Sequence, residues 1–436
     1  MNIFKNTHLI RQRFKYNPLS FSSRKKGIAL IMAMTSLMLM VYISSEVSRD
    51  ASIEFIVNSN ELSRLKAYYN ARNGMQIALL RVKIFQQIGR ANLPPGFSTY
   101  IDQIWKFPFA WPLPISEDTN GVDKETIKKS ATESFLEGSY FHTIVDEGSK
   151  IDLNDLVSPS KTLQELTRKQ IITIFENEIE NNEEFRNQYQ NTRFDELVGR
   201  IIDWMSDVYT SKVSGDKRAY FSSLGENYPP NRGFRTVDEL RLVPGMNEDF
   251  FKLLAPRITI YGMKAINPNT ATLDVIKSLD AGITDQVIKE IKEKRDDTEK
   301  GEAFTGQGDK CRENFKAFIE RAGARLNKEF DKIPMLCDKT FNFKIESNGI
   351  YGAGKQAMKR TITAIVVDLS QAATQIKNAS ALDKDQTKND PNAAADPAKD
   401  PAAADKSKGS SGSKSGTPTQ EPLPKGPPRV VYWTES

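Results

Sequence analysis

Hydrophobic and polar positions along this chain of 436 residues change their rhythm several times, and each change marks an element. From Ile28 to Ser45, 18 positions, no side chain is charged, and the run ends at Glu46. As a helix this run rises about 27 Å, close to the roughly 30 Å hydrocarbon core of a bilayer. Ile, Ala, Leu and Met favour helix, and no Pro or Gly interrupts them. Residues 46–90 contain no Pro and only Gly74 and Gly89, while Ile53, Ile56, Val57, Leu62, Leu65, Tyr68, Tyr69, Met75, Leu79 and Leu80 recur at helical spacing. One helix is therefore predicted over 28–90, crossing a membrane first and continuing as an amphipathic stem that needs a globular partner.

The pattern then loosens. Residues 91–120 are rich in Pro and aromatics and predict an extended segment packed on the domain. SYFHTIVDEGSKIDLN, 139–154, predicts two short strands around a turn at Glu147–Ser149. Short helices come next: LQELTRKQIITIFENEIEN, then FDELVGRIIDWM with Leu197, Ile201 and Trp204 on one face. TVDEL opens a third, with Thr236 and Glu239 at capping-box spacing, and NEDFFKLLAP makes a fourth that stops at Pro256. LDVIKSL and ITDQVIKEIKEKR continue the helical stretch. Alternation returns in TFNFKIESNGIYG and KRTITAIVVDL, which predict closing strands. Residues 371–436 are built of Ala, Lys, Asp, Pro, Ser and Gly until VVYW, a composition that buries no core and predicts disorder. VVYWTES, 430–436, is a candidate docking peptide within that tail.

Charge and cysteine usage place the two ends in different compartments. Residues 1–27 hold seven Lys or Arg and no acid, so the positive-inside rule keeps that end in the cytoplasm and exports the chain beyond the span. Taking seven from the net charge of +5 leaves the remainder near −2, so the basic balance is no sign of nucleic-acid binding. The opening stretch reads three ways: a discarded secretory signal, an uncleaved anchor, or a leader cut just ahead of the apolar helix. Cys311 and Cys337 are the two cysteines. An even pair in an exported domain usually forms a disulfide, which would contribute roughly 3.5 kcal/mol for a loop of this length; two buried thiols are the alternative.

A basic leader ending in Gly before an apolar helix resembles type IV prepilins and pseudopilins. The resemblance implies that a prepilin peptidase cuts after Gly27 and that the new amino terminus, Ile28, is methylated. Most such proteins carry Glu at the fifth mature position; here it is Met32. The order of long helix, few strands, large helical insertion and closing strands is similar to the general secretion pathway protein K family, the K-type minor pseudopilins of type II secretion. KIDLN (150–154), IIDWMSDV, FRTVDELRLVPGM (234–246) and INPNTA (266–271) resemble that family's motifs in order and spacing. That family characteristically lacks the Glu.

The resemblance implies an α+β fold: a transmembrane helix, a pilin-like α/β domain with a large inserted SAM-like or helix-hairpin-helix-like helical domain, and a disordered tail. Expected boundaries are a leader at 1–27, the long helix at 28–90, pseudopilin domain at 91–154, helical subdomains at 155–265 and 266–337, closing strands at 338–370 and the tail at 371–436. It implies assembly rather than catalysis, in a bacterial inner membrane with most of the chain in the periplasm. Implied partners are the I- and J-type minor pseudopilins, the major pseudopilin, the inner-membrane assembly platform and the prepilin peptidase. The alternatives are a minor pilin that starts a type IV pilus and, behind it, an exported DNA-binding protein.

Metal and nucleic acid are the two binding chemistries the motifs raise. The family binds calcium in its helical insertion, which points to Asp203, Asp207 and Asp216, since Ca²⁺ takes six to eight oxygens. Ser206, Val208 and Lys217 depart from that pattern. PGMNED and AGITDQ resemble the turns of DNA-binding helical hairpins, but Glu248, Asp249 and Asp285 come just after them and would repel phosphate, so no nucleic acid is expected. His8 and His142 are the two histidines, and no phosphate loop, H-E-x-x-H or G-x-S-x-G appears, so no enzyme is expected.

Overall fold

The computed structural model describes residues 26–88, 104–114, 121–134, 136–213, 215–296, 304–306, 308–337, 340–354, 357–368 and 429–436. Residues 1–25 of the leader and most of the tail lie outside these residues. The chain divides into two compact units, residues 1–65 and 66–436.

Helix α1, Lys26–Ile88, is uninterrupted over 63 residues. In the first unit its side chains are exposed throughout the apolar run, with Ile28 at 57% and Met32 at 66%. It is long and apolar enough to cross a membrane. In the second unit Ala67, Ala71, Met75, Ala78, Val82 and Phe85 are buried, a stripe at three- and four-residue intervals. This differs from the predicted stripe: Leu65, Tyr69 and Leu80 are half exposed. The small side chains face the sheet because the backbones there come close together. A Cβ on Gly349 would collide with the carbonyl of Ala67 and the amide of Ala71. Ser347 Oγ donates to Ala71 O over 2.7 Å, and Asn70 Nδ2 donates to Ile350 O over 3.0 Å.

The sheet has five strands: β1 (Phe109–Trp111), β2 (Ser139–Asp146), β5 (Asn342–Tyr351), β6 (Met358–Val367) and β7 (Arg429–Glu435), in that order and with every neighbouring pair antiparallel. The pair β5–β6 is the predicted closing hairpin. Two strands flank a turn at 147–150 as predicted at 139–154, and β3 (Ile151–Asp152) leaves the sheet and pairs in parallel with β4 (Ile258–Thr259). Its two residues begin the helical insert. Against the expectation of disorder to the last residue, 429–435 form an edge strand on β6.

Helix α2 (Gly121–Glu133) precedes the insert in sequence. The insert itself contains α3 (Lys161–Asn181), α4 (Glu183–Tyr189), α5 (Phe194–Met205), α6 (Lys217–Phe221), α7 (Glu248–Leu254), α8 (Leu273–Lys277), α9 (Asp285–Asp296) and α10 (Asp309–Arg321). On α5 the buried face includes Leu197, Ile201 and Trp204. TVDEL makes a 3-10 turn, Val237–Leu242, instead of an α-helix, and Thr236 offers no side-chain cap. Glu239 instead accepts from the Arg235 amide over 3.1 Å. One continuous core runs from Ile151 to Cys337 through both helical subdomains expected from sequence. A second joins α1 to the sheet through Met75, Phe85, Trp105 and Phe343. A third, of Met263, Phe341, Ile365 and Val367, joins the insert to the sheet.

Candidate functional site

The predicted site residues fall at three separate places. Gly27, Ile28 and Met32 lie on the first turns of α1 with their side chains in the open. An apolar run of 18 residues, about five helical turns, that stays exposed needs lipid or neighbouring helices around it. No acid stands at position 32, so this end offers no carboxylate to a neighbour's amino terminus.

The second place is the loop after α5. Asp203 is 1% exposed and accepts from Ser211 Oγ over 2.5 Å and from the Lys212 amide over 2.9 Å. Asp216 caps α6 by accepting from the Arg218 amide over 3.0 Å. Asp207 is exposed. The loop carbonyls turn inward to Lys217, whose ammonium donates to Ser206 O, to Val208 O over 3.3 Å and to Asn231 Oδ1 over 2.6 Å. Lys217 is 3% exposed, and burial lowers its pKa although the charges of Asp203 and Asp207 act to raise it. A side-chain cation thus holds the oxygens that a metal would need, while two of the three aspartates are committed elsewhere. The residues present do not fit a calcium ion. Among the described residues no group of three or more His, Cys, Asp or Glu gathers at metal-binding distance.

The third place is the junction of insert and sheet, where the sequence motifs meet. In KIDLN, Lys150 pairs with Glu147 at 2.9 Å, Asp152 accepts from the Asn154 amide, and Asn154 Nδ2 donates to Ile260 O over 3.0 Å. Lys264 reaches back to Asp155 and lies 3.8 Å from Asp152. Burial, together with the neighbouring Asp152, raises Asp155 to about 6 despite that lysine. In INPNTA, Asn269 Nδ2 donates to both Phe304 O and Cys337 O at 2.8 Å, and Thr270 Oγ1 donates to Asp146 Oδ2 over 2.6 Å. Arg295 Nη1 donates to Ala271 O over 2.8 Å. Cys311 and Cys337 form a disulfide with Cα atoms 5.5 Å apart, joining α10 to the segment that leads into β5. These contacts tie the two ends of the insert together where it meets the sheet.

His142 is fully buried beside Arg81, whose Nη1 lies 2.8 Å from Nε2. Burial and that guanidinium lower its pKa to about 4, so the ring is neutral and serves as packing against Phe109.

Sequence reasoning singled out Lys217 only as a departure from the family's pattern, and it missed Asn231, Lys264 and Gly349. A lysine inside an acid-rich segment is the available signal for Lys217. The others act through backbone approach or through partners distant in sequence.

A long exposed apolar helix, an antiparallel sheet packed on its continuation and a helical domain inserted between sheet strands are compatible with a pseudopilin fold. Residues 149–263 match the family model of protein K of the type II secretion system, over its first domain. No curated protein matches the chain. Solved structures that match include a chain of the GspK-GspI-GspJ complex of the type 2 secretion system of enterotoxigenic Escherichia coli, at 14% identity and a TM-score of 0.47, covering 71% of this chain and 93% of that one.

Proposed function

We propose that this protein is a tip subunit of the type II secretion pseudopilus, one that helps to start pseudopilus assembly for the export of folded proteins across the outer membrane. The observation that carries the reading is the protein K domain at 149–263, inserted in a sheet that packs on the continuation of an apolar helix. Gly27–Ile28 is the cut site of the prepilin peptidase, and methylated Ile28 becomes the amino terminus. The helix then stays in the inner membrane with its basic end in the cytoplasm and the remainder in the periplasm. Met32 suits an end position, where no second subunit needs a carboxylate in the same register. The bulk of the insert also opposes repetition along a filament. The partners are the I- and J-type minor pseudopilins first, then the major pseudopilin and the assembly platform. No reaction is assigned.

Mass spectrometry of the mature protein from membranes with and without the peptidase tests the anchor. A methylated Ile28 that is lost without the peptidase is expected, and an intact Met1 in both membranes would sink the processing step. Co-purification from the inner membrane tests the assembly: capture of I- and J-type pseudopilins is expected, and capture of pilus subunits alone would overturn the secretion role.

A further inference from the structure

Lys264 follows β4 in a left-handed backbone conformation, φ 54°, which a residue with a Cβ adopts only where its surroundings hold it. Its side chain, 14% exposed, reaches the 3-10 turn Leu153–Val157 that follows β3, and Nζ donates to Asp155 Oδ1. A second carboxylate stands at the same nitrogen. Asp152 Oδ2 lies 3.8 Å from it, and the side chains of Asp152 and Asp155 are nearly covered, at 6% and 7% exposed. Asp152 is also pinned. Its Oδ1 accepts from the Asn154 amide over 2.9 Å and from Asn154 Nδ2 over 3.1 Å, and a Cβ on Gly262 would strike its Cβ. Other lysine pairs are built differently: Lys169 and Glu329 meet in the open, and Lys150 has Glu147 as its one carboxylate partner among the described residues.

An ion pair is a poor resting form for this trio. Ions out of water lose their solvation, and pairing returns only part of it. Solvation is also what keeps an amine and an acid ionised and apart in water. Here it is withdrawn, and held in contact the two groups meet at an effective concentration of roughly 10⁵ M or more. A cavity of about 30 Å³ adjoins them, lined in part by Asp152, Asp155, Lys264, Thr167 and Gln170, which is room for a departing water molecule. Burial disfavours the ammonium form of Lys264, yet the charges of Asp152 and Asp155 outweigh it and hold its pKa above the ordinary value. A proton must therefore leave Nζ before the nitrogen can react, and Asp152 Oδ2 is placed to take it.

We propose that Lys264 and Asp155 condense into an intramolecular isopeptide bond, with Asp152 as the proton carrier. Asp152 takes one proton from the ammonium, the freed amine attacks Asp155 Cγ, and Asp152 returns the proton to the departing oxygen. One C–N bond forms and one C–O bond breaks. Two protons of Nζ leave with that oxygen as water, so no oxidant, reductant or activating nucleotide is consumed. Condensation removes two of the three buried ions. The amide joins residues 109 positions apart and so ties the entry of the first helical subdomain to its exit, while Cys311–Cys337 ties the second. Of these two staples the amide is the one that reductant cannot open. The inference does not rest on the pseudopilin reading, because the chemistry belongs to the trio alone.

Peptide mapping of the full chain purified from membranes tests it. After reduction, trypsin should leave Lys264 uncut and release a branched peptide that joins 151–161 to 258–277, lighter by one water than the two together. The exposed pair Lys169 and Glu329 should yield linear peptides only. Cleavage after Lys264, with linear 151–161 recovered in full, would overturn the proposal. Asp152→Asn keeps an oxygen for the Asn154 amide but cannot carry the proton. In pulse-labelled protein with unchanged helical circular dichroism, this variant should form the branched peptide roughly a hundredfold more slowly. An unchanged rate would overturn the role of Asp152, and the map of the unaltered chain decides the bond even where the variant does not fold.

Discussion

The ammonium group of Lys217 donates to the side-chain oxygen of Asn231 over 2.6 Å and thereby ties the loop after α5 to a residue in left-handed backbone conformation, φ 50°. The same nitrogen serves the carbonyls of Ser206 and Val208. Removing it leaves three part-buried acceptors without this donor, at about 1–3 kcal/mol for the set. Lys217→Met should therefore lower the melting temperature of the detergent-solubilised protein clearly. Millimolar calcium or a chelator should leave the unaltered protein's melting temperature where it is, and a calcium-dependent rise would show that the loop rearranges around the metal.

Gly349 sets the approach of α1 to the sheet. Because a methyl group there meets helix backbone and no movable side chain, Gly349→Ala should cost about 3 kcal/mol. Thermal unfolding checks it, and Gly354→Ala, in open space, serves as the comparison, although its positive φ of 63° carries a modest strain of its own.

The disulfide closes a loop of 26 positions in sequence separation. Changing both cysteines to serine should remove about 3.5 kcal/mol of stability by releasing the unfolded chain. Denaturant titration of the double variant with and without reductant should show no further change on reduction, whereas the parent should fall to meet it.

His142 supplies a pH signature. Its folded pKa, about 4, lies below the ordinary 6.5, so the unfolded chain takes up the proton first. The corresponding stability is complete above pH 6.5 and is lost as pH falls toward 4, about 2 kcal/mol of it between pH 7 and 5. Relative to the parent, His142→Gln should flatten this component of the pH profile. By NMR the His142 ring should hold a neutral shift at pH 5.5, where an exposed imidazole is mostly charged, and titration near 6.5 would refute the assignment.

Much of this architecture is legible in residue order alone, for physical reasons that differ by element. The long helix comes from an unbroken run of helix-forming residues, and α1 is described from Lys26 to Ile88; the expected end at 90 lies outside the described residues. Strands β5 and β6 come from strict alternation. The buried stripe of α1 departs from the expected one because Ala67, Ala71 and Ala78 carry little hydrophobic signal, and their burial is set by Gly349 on a strand far along the chain. KIDLN has the composition of a strand, and only the parallel partner Ile258–Thr259 decides where it pairs. The three aspartates near residue 210 suggest a shared ligand, but spacing cannot show which way carboxylates point, and Lys217 has the shorter path to the carbonyls. The last strand is hidden behind 60 residues whose composition resembles no core.

The pairing of β2 with β5 has a consequence for biogenesis. Asp146 stands opposite Phe343, so the middle of the sheet cannot form until the entire insert has been synthesised. During that interval β2 has at most the three-residue β1 beside it, and its other edge is bare. The insert, by contrast, draws its core from residues between Ile151 and Cys337 and can condense as soon as that stretch emerges. Order of manufacture therefore favours a helical body that matures first and then brings the two halves of the sheet together, with closure of the long β2–β5 loop as the slow event. A chaperone or a neighbouring subunit that shelters β2 in the meantime would act on the nascent protein rather than on the finished one.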